Sequence, residues 1–228
     1  MESLLRQTRY KYVSEALRAL GVSPRRDRCA PPIGAATEKH VLRVLDRENV
    51  PCELIDGILV EKALGFLEAL IATDLGSRIS LAASSADIGV VSGARGPFKF
   101  SRNLIRSPDV GLVLWYQLPT RMFPREPAPE LWPDLAIDVF RKGNTAKEMQ
   151  RKLKEYFLAG TRLVWFVDPE ARTVEVFTAP DVSTILDESQ TLTGGDVLPG
   201  FELPLKQLFA RVPKNGKRRA KVKSRKRR

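Results

Sequence analysis

The 228-residue sequence predicts an α/β fold built on one mixed sheet. Three observations predict it. Short β-rich runs come before and after one well-delimited helix, an order that places strands and helices in a single layered domain. Asp56-Gly57 lies between two short apolar runs in "CELIDGILVEK", the signal of a type I′ hairpin. "GNTAKEMQRKLKEYFLAG" carries Thr145 and Glu148 at capping-box spacing and Gly160 at a helix stop.

The elements follow in chain order. Residues 1–36 combine a short helix, "YVSEALRALG", with a loop rich in Pro, Arg and Gly, and read as a peripheral segment. Thr37 can cap a helix over "EKHVLRVLDREN", whose Val41, Leu42, Val44 and Leu45 form an apolar side. After the hairpin, "ALGFLEALIATDLGSRI" has helical periodicity through Leu64, Leu67, Ile71 and Leu75. "DIGVVSGARGPFKF" has the β-branched residues and glycines of a second hairpin, and "SPDVGLVLW" is a further strand. "TRMFPREPAPELWP" holds four prolines and is a loop. "WPDLAIDVFRK" then gives a buried strand, followed by the capped helix. "RLVWFVDPEARTVEVFTA" gives two strands around Asp168-Pro169, and "GGDVLPGFELPLKQLF" closes the domain as a loop and short helix. The domain therefore spans 37–210.

Residues 211–228, "RVPKNGKRRAKVKSRKRR", hold 11 Lys/Arg and no Asp/Glu, whereas the rest of the chain is formally neutral. The whole excess charge of +11 thus sits in a segment with almost nothing apolar to bury. It reads as a disordered arm for a polyanion, most simply nucleic acid, with Lys217, Arg218, Arg219, Lys221, Lys223, Arg225, Lys226, Arg227 and Arg228 as contacts. A plain solubilising tail is the alternative. No run reaches the ~18–20 apolar residues of a membrane span, and no signal peptide is visible, so a cytoplasmic protein with no membrane partner is expected. Cys29 and Cys52 form neither a disulfide framework nor a zinc motif.

Absences narrow the chemistry. His40 is the single histidine, too few for zinc hydrolases or two-histidine ribonucleases, and no G-x-S-x-G elbow, Walker A run or G-x-G-x-x-G occurs. Carboxylates and lysines remain. Asp138 lies in the centre of the apolar strand "LAIDVF", where a charge needs a partner. Asp109 opens the strand "PDVGLVL". On a wheel of about 100° per residue, Met149, Leu153, Tyr156 and Phe157 form the buried stripe of the helix that follows, and Lys152 borders it. Two carboxylates and a lysine around one site suit phosphodiester hydrolysis assisted by Mg²⁺ or Mn²⁺. A turn-forming Asp109, a snorkelling Lys152 and a structural Asp138–Lys152 pair are the bland alternatives.

From about Glu53 to Phe209 the chain resembles the Uma2 family (DUF820) of PD-(D/E)XK endonuclease-like proteins. "CELIDGILVEKALGF", "RSPDVGLVLW", "PDLAIDVF", "GNTAKEMQRKLKEYFLAGTRLVWFVDPEARTVEVF" and "GGDVLPGFELPLKQLF" carry the resemblance in the family's order. It implies a restriction-endonuclease-like core, a central mixed sheet flanked by helices. It implies a metal-dependent endonuclease acting on DNA in preference to RNA, and it allows a homodimer. Asp109 and Asp138 match the metal ligands, with Asp138 where the family usually has glutamate. Lys152 matches the helix lysine that replaces the motif's strand lysine, whose place is taken here by Phe140. A further acidic residue is implied near the first core helix; Glu68 is favoured, with Glu61 as the alternative. A catalytically degenerate protein that still binds nucleic acid through its tail is the other reading the resemblance allows.

Overall fold

The computed structural model describes residues 12–213, apart from residues 27, 29, 63 and 64. The tail contacts from Lys217 onward lie outside the described residues.

The sheet that positions the site has six strands in the order β10-β9-β8-β7-β6-β3. These are β3 (Gly89–Gly93), β6 (Val110–Leu114), β7 (Leu135–Val139), β8 (Leu163–Asp168), β9 (Thr173–Ala179) and β10 (Val182–Asp187). Only β7 and β8 run parallel, joined by a crossover through helix α4 (Ala146–Ala159). Parallel neighbours require such a connection. A four-stranded sheet, β2-β1-β5-β4, is built from β1 (Cys52–Ile55), β2 (Ile58–Glu61), β4 (Phe98–Ser101) and β5 (Leu104–Arg106). Asp56 and Gly57 both have positive φ, 51° and 74°, so the first hairpin turns as its Asp-Gly pair requires.

Alternation along the strands divides the core in two. Val110, Leu112, Leu135, Ile137, Val139, Leu163, Trp165 and Val167 face helix α3 (Phe66–Ser85), which buries Ile71, Leu75 and Ile79 against them. Spacing by four residues puts that stripe on one side of the helix, and each such side chain contributes about 1.5–3 kcal/mol when fully buried. Strand β12 (Leu198–Pro204) and helix α5 (Leu205–Leu208) extend this core, and Val212 packs into it. Ala136, Val164 and Phe166 face the other way and meet Met149, Leu153 and Tyr156 of α4. The four-stranded sheet lies on the same side, where Phe100 of β4 meets the Tyr156 ring at 5.9 Å.

Thr145 caps α4 by accepting from the Glu148 N–H at 3.1 Å, and Gly160 ends it at φ 116°. A Cβ at Gly160 would lie 2.7 Å from the Trp132 ring nitrogen, so both backbone and space require glycine there. Helix α1 (Val13–Leu20) packs on Ile55, Ile58 and Val60, and Arg26 pairs with Glu148 at 2.7 Å. Residues 12–36 therefore contact both the first hairpin and α4. His40 Nδ1 accepts from the Thr37 N–H at 3.1 Å and caps helix α2 (Glu38–Arg47).

Two sequence expectations change. The second hairpin does not form: β3 pairs with β6 and β4 pairs with β5, so the chain leaves one sheet for the other between Gly93 and Phe98. Phe98 pairs with Arg106 of β5 and packs with Val113 and Leu118. The segment after Ala179 is more ordered than the sequence suggests. It forms β10, β11 (Thr191–Gly194) and β12, with β11 and β12 as a separate ribbon. Among the described residues no helix is long and apolar enough to cross a membrane.

Candidate active site

Asp109 sits one residue before the antiparallel pair Val110–Ile137, and Asp138 sits one residue after it. Val110 and Ile137 both face the α3 core. Their neighbours therefore face the other side, and both carboxylates leave the same end of the β6–β7 ladder toward α4. Asp109 is 2% exposed and Asp138 2% exposed. Two buried carboxylates need partners.

The partners are cations. Lys152 reaches back from α4 and places Nζ 2.7 Å from Asp138 Oδ1, while the Tyr156 hydroxyl, one turn on, donates to Oδ2 at 2.8 Å. Lys62, just past the end of β2, places Nζ 2.8 Å from Asp109 Oδ1. Arg141 donates to the same oxygen at 2.5 Å, and the Val139 N–H donates to Oδ2 at 2.9 Å.

A third carboxylate joins from the four-stranded sheet. Glu53, mid-strand in β1 and 1% exposed, lies 3.2 Å from Lys152 Nζ through Oε1. Oε1 also accepts from the Ser107 N–H at 3.1 Å, and Oε2 accepts from Arg106 Nη1 at 2.6 Å. Arg106 in turn donates from Nε to Glu155 Oε2 at 2.7 Å. The Ser107 carbonyl accepts from Lys62, so one dipeptide, Arg106-Ser107, ties the Glu53 and Asp109 ends together. Glu53, Asp109, Asp138 and Glu155 thus face Lys62, Arg106, Arg141 and Lys152, and the cluster is formally neutral.

The proton affinities follow. Burial alone would raise the Asp109 pKa; Lys62 and Arg141 outweigh it and hold the carboxyl at about 2. Glu53 is pushed up by burial and, more strongly, down by Lys152 and Arg106, and ends well below the usual carboxylate range. Lys62 is lowered because burial outweighs Asp109. Lys152 is raised because Asp138 and Glu53 outweigh its burial. Tyr156 is pushed well above its ordinary value by burial and by Asp138, so its hydroxyl stays protonated and donates.

Asp134, immediately before the same strand, has a different environment. It accepts from the Leu114 N–H at 2.9 Å, the Tyr116 hydroxyl at 2.8 Å and Gln117 Nε2 at 2.8 Å, and so clamps the loop after β6. It meets neutral donors; Asp138 meets an ammonium.

Asp109, Asp138 and Lys152 therefore share one cluster. Glu68 and Glu61 do not join it. Glu61 turns to the opposite side of β2 and pairs with Arg28 at 2.6 Å, and Glu68 folds back on the first turn of α3 beside Gly65. Glu53, Lys62, Arg106 and Arg141 were not singled out from sequence. Glu53 had the signal that exposed Asp138, an ionisable residue inside an apolar strand.

Among the described residues no three His, Cys, Asp or Glu side chains are grouped closely enough to form an all-protein metal cage. Mg²⁺ and Mn²⁺ do not need one. Mg²⁺ is commonly held by one or two carboxylates with waters and substrate phosphates. Asp109 and Asp138 supply hard oxygens of that kind from adjoining strands, and each is paired with an ammonium group. The donor set fits the ion.

A family model described as "putative restriction endonuclease" matches residues 38–206, a span that holds every member of the cluster. A crystal structure described as a "putative nuclease belonging to DUF820", from Anabaena variabilis, is similar with a TM-score of 0.61 and 18% identity. The similarity covers 70% of this chain and 90% of that one. It supports a restriction-endonuclease-like fold, with a mixed sheet between helices. No curated protein matches the chain.

Proposed function

The chain belongs to the Uma2 family, and from that membership we propose that it is a metal-dependent nuclease hydrolysing phosphodiester bonds in DNA. The observation that carries the reading is the convergence of Asp109, Asp138 and Lys152 at one end of the β6–β7 ladder. Asp109 and Asp138 are the residues that would hold Mg²⁺ or Mn²⁺. The ion supplies a polarised phosphoryl group and an activated water when bound.

The chain's own groups do the rest. Lys152 keeps a full positive charge beside the reacting centre, where negative charge develops during phosphoryl transfer. Glu53 holds the Lys152 ammonium from the second sheet, and the Tyr156 hydroxyl fixes the direction of the Asp138 carboxylate. Lys62 balances Asp109 when no other cation is present. The basic tail supplies sequence-independent attraction to the phosphate backbone. Cleavage of plasmid and linear duplexes with Mg²⁺, with Mn²⁺ and with EDTA tests the reading. A wild-type chain inert with both metals would refute it.

One observation favours a second reading. Every carboxylate oxygen of Glu53, Asp109 and Asp138 already accepts from a donor within the chain, and the cluster is neutral. A degenerate nuclease fold that binds nucleic acid without cutting it would retain such a cluster. Duplex binding that survives EDTA, with no cleavage under either metal, marks that outcome.

A further inference from the structure

Arg141 differs from the carboxylates and lysines at the centre of the cluster. Glu53, Lys62, Asp109, Asp138 and Lys152 are buried, whereas Arg141 lies where the cluster meets the surface, beside exposed Lys142 and Gly143. Its side chain is 10% exposed. Its Nε is buried and has no acceptor. A guanidinium offers its donors as a planar fork that matches two oxygens of a phosphate. Here one Nη2 bond to Asp109 is made, and the Nε donor beside it is unused.

Asp109 does not depend on this arginine. Its Oδ1 is also held by Lys62 at 2.8 Å, and its Oδ2 by the Val139 N–H at 2.9 Å. Arg141 can therefore turn to another anion without leaving a buried carboxylate unpaired. A buried Nε donor is unfavourable for as long as nothing accepts from it. The backbone supports the placement: the Arg141 N–H donates to Asn144 Oδ1 at 2.9 Å, closing the turn between β7 and α4 that sets the arginine at the mouth.

We infer that Arg141 is a phosphate-binding residue, whose guanidinium grips a backbone phosphate of nucleic acid at the mouth of the Asp109–Asp138 cluster. The inference rests on the nucleic-acid part of the function proposed above. It assigns a contact that neither the metal nor the basic tail supplies. The fork binds two oxygens of one phosphate, so a lysine in its place keeps the charge and loses the geometry.

The experiment uses the full chain and a short fluorescent duplex in EDTA, which keeps cleavage out of the measurement. Affinity is read by anisotropy at several salt concentrations for the wild type, R141Q and R141K. R141Q is expected to bind about tenfold more weakly, with the slope of log K against log salt reduced by about one, the mark of one lost phosphate contact. R141K is expected to keep the wild-type slope and bind with intermediate affinity. Equal affinity and slope in R141Q and wild type would overturn the assignment. So would weaker R141Q binding at an unchanged slope, the sign of an indirect effect on folding, and so would a wild-type chain that binds no duplex. Cleavage is scored separately with Mg²⁺ and Mn²⁺. A wild-type chain that never cuts, while R141Q still binds more weakly with the lower slope, removes the nuclease reading and leaves the arginine assigned.

Discussion

Lys152 places its ammonium 2.7 Å from the carboxylate of Asp138, and both side chains are buried. The same nitrogen lies 3.2 Å from Glu53, which comes from the other sheet. One cation thus pins α4 to β7 and to β1. Removing a single partner from a buried ion pair costs about 3–5 kcal/mol, because the remaining charge has no water to replace it. K152M should lower stability by that amount in urea unfolding monitored by far-UV circular dichroism. Adding D138N to K152M removes part of the stranded charge and should recover part of the loss. A K152M chain as stable as the wild type would show that the pair is not held as described.

The sequence carried some of this and not the rest, for physical reasons. Asp138 and Lys152 were visible because periodicity is local: one strand and one helix fix which residues face inward. Glu53 is subject to the same rule, but Glu61 and Glu68 sit closer in sequence to the first core helix and carry the same charge. Only the pairing of β1 with β5 brings Glu53 to Arg106 and Ser107, and that pairing joins residues about 50 positions apart. Arg141 defeats the alternation rule outright. It is of opposite parity to Asp138, yet β7 ends at Val139 and the turn that follows returns its side chain to Asp109. The second hairpin failed for a related reason. A Gly-rich joint reads the same whether the chain reverses within one sheet or crosses to another.

On the resemblance, Asp138 stands where the family usually has glutamate, and substitutions there test the proposed chemistry with little change of volume. D138N keeps the shape, and Lys152 keeps Glu53 as a partner. Mg²⁺-dependent cleavage should fall by two to three orders of magnitude, about the loss seen when one group stabilising transition-state charge is removed. D138E should keep or raise cleavage. Its extra methylene is expected to cost about 1–3 kcal/mol of stability, because it enters a site packed by Tyr156 and Met149. Cleavage rates on one plasmid, beside unfolding midpoints for each variant, separate the two effects. An unchanged rate in D138N would exclude the aspartate from the chemistry.

Acid should unfold the chain through Asp109 and Glu53. The folded-state pKa of Asp109 is lowered from 3.8 to about 2, so its pairing contributes stability above the unfolded value and loses it as pH falls toward the folded one. One pKa unit corresponds to 1.36 kcal/mol, so Asp109 alone should account for about 2 kcal/mol lost between roughly pH 5 and pH 2. Glu53, held lower still, adds to the same limb. Urea midpoints measured across that range should fall steeply for the wild type and less steeply for D109N. Parallel curves for the two would mean that Asp109 is not depressed in the folded state.

The basic tail gives the last expectation, and the fold sets where to cut. Val212 packs in the main core and its carbonyl accepts from Arg172 Nη1 at 3.0 Å, so a deletion should begin at Lys214 and spare it. Residues 214–228 carry ten of the chain's Lys and Arg. Each phosphate neutralised on duplex DNA contributes a slope of about −0.9 in log K against log salt. With roughly half of those cations engaged, the tail should contribute about −4.5. The shortened chain should therefore bind every duplex more weakly and with a much flatter slope, because phosphate contacts carry no base information. Metal affinity, measured by calorimetry with Mn²⁺, should be unchanged, since Asp109 and Asp138 are buried at the β6–β7 ladder and held by Lys62, Arg141, Lys152, Tyr156 and the Val139 N–H. Titrations of both chains on one duplex at several salt concentrations decide the matter. Equal slopes would make the tail a solubilising extension, and would leave Arg141 and the cluster mouth as the whole of the nucleic-acid contact.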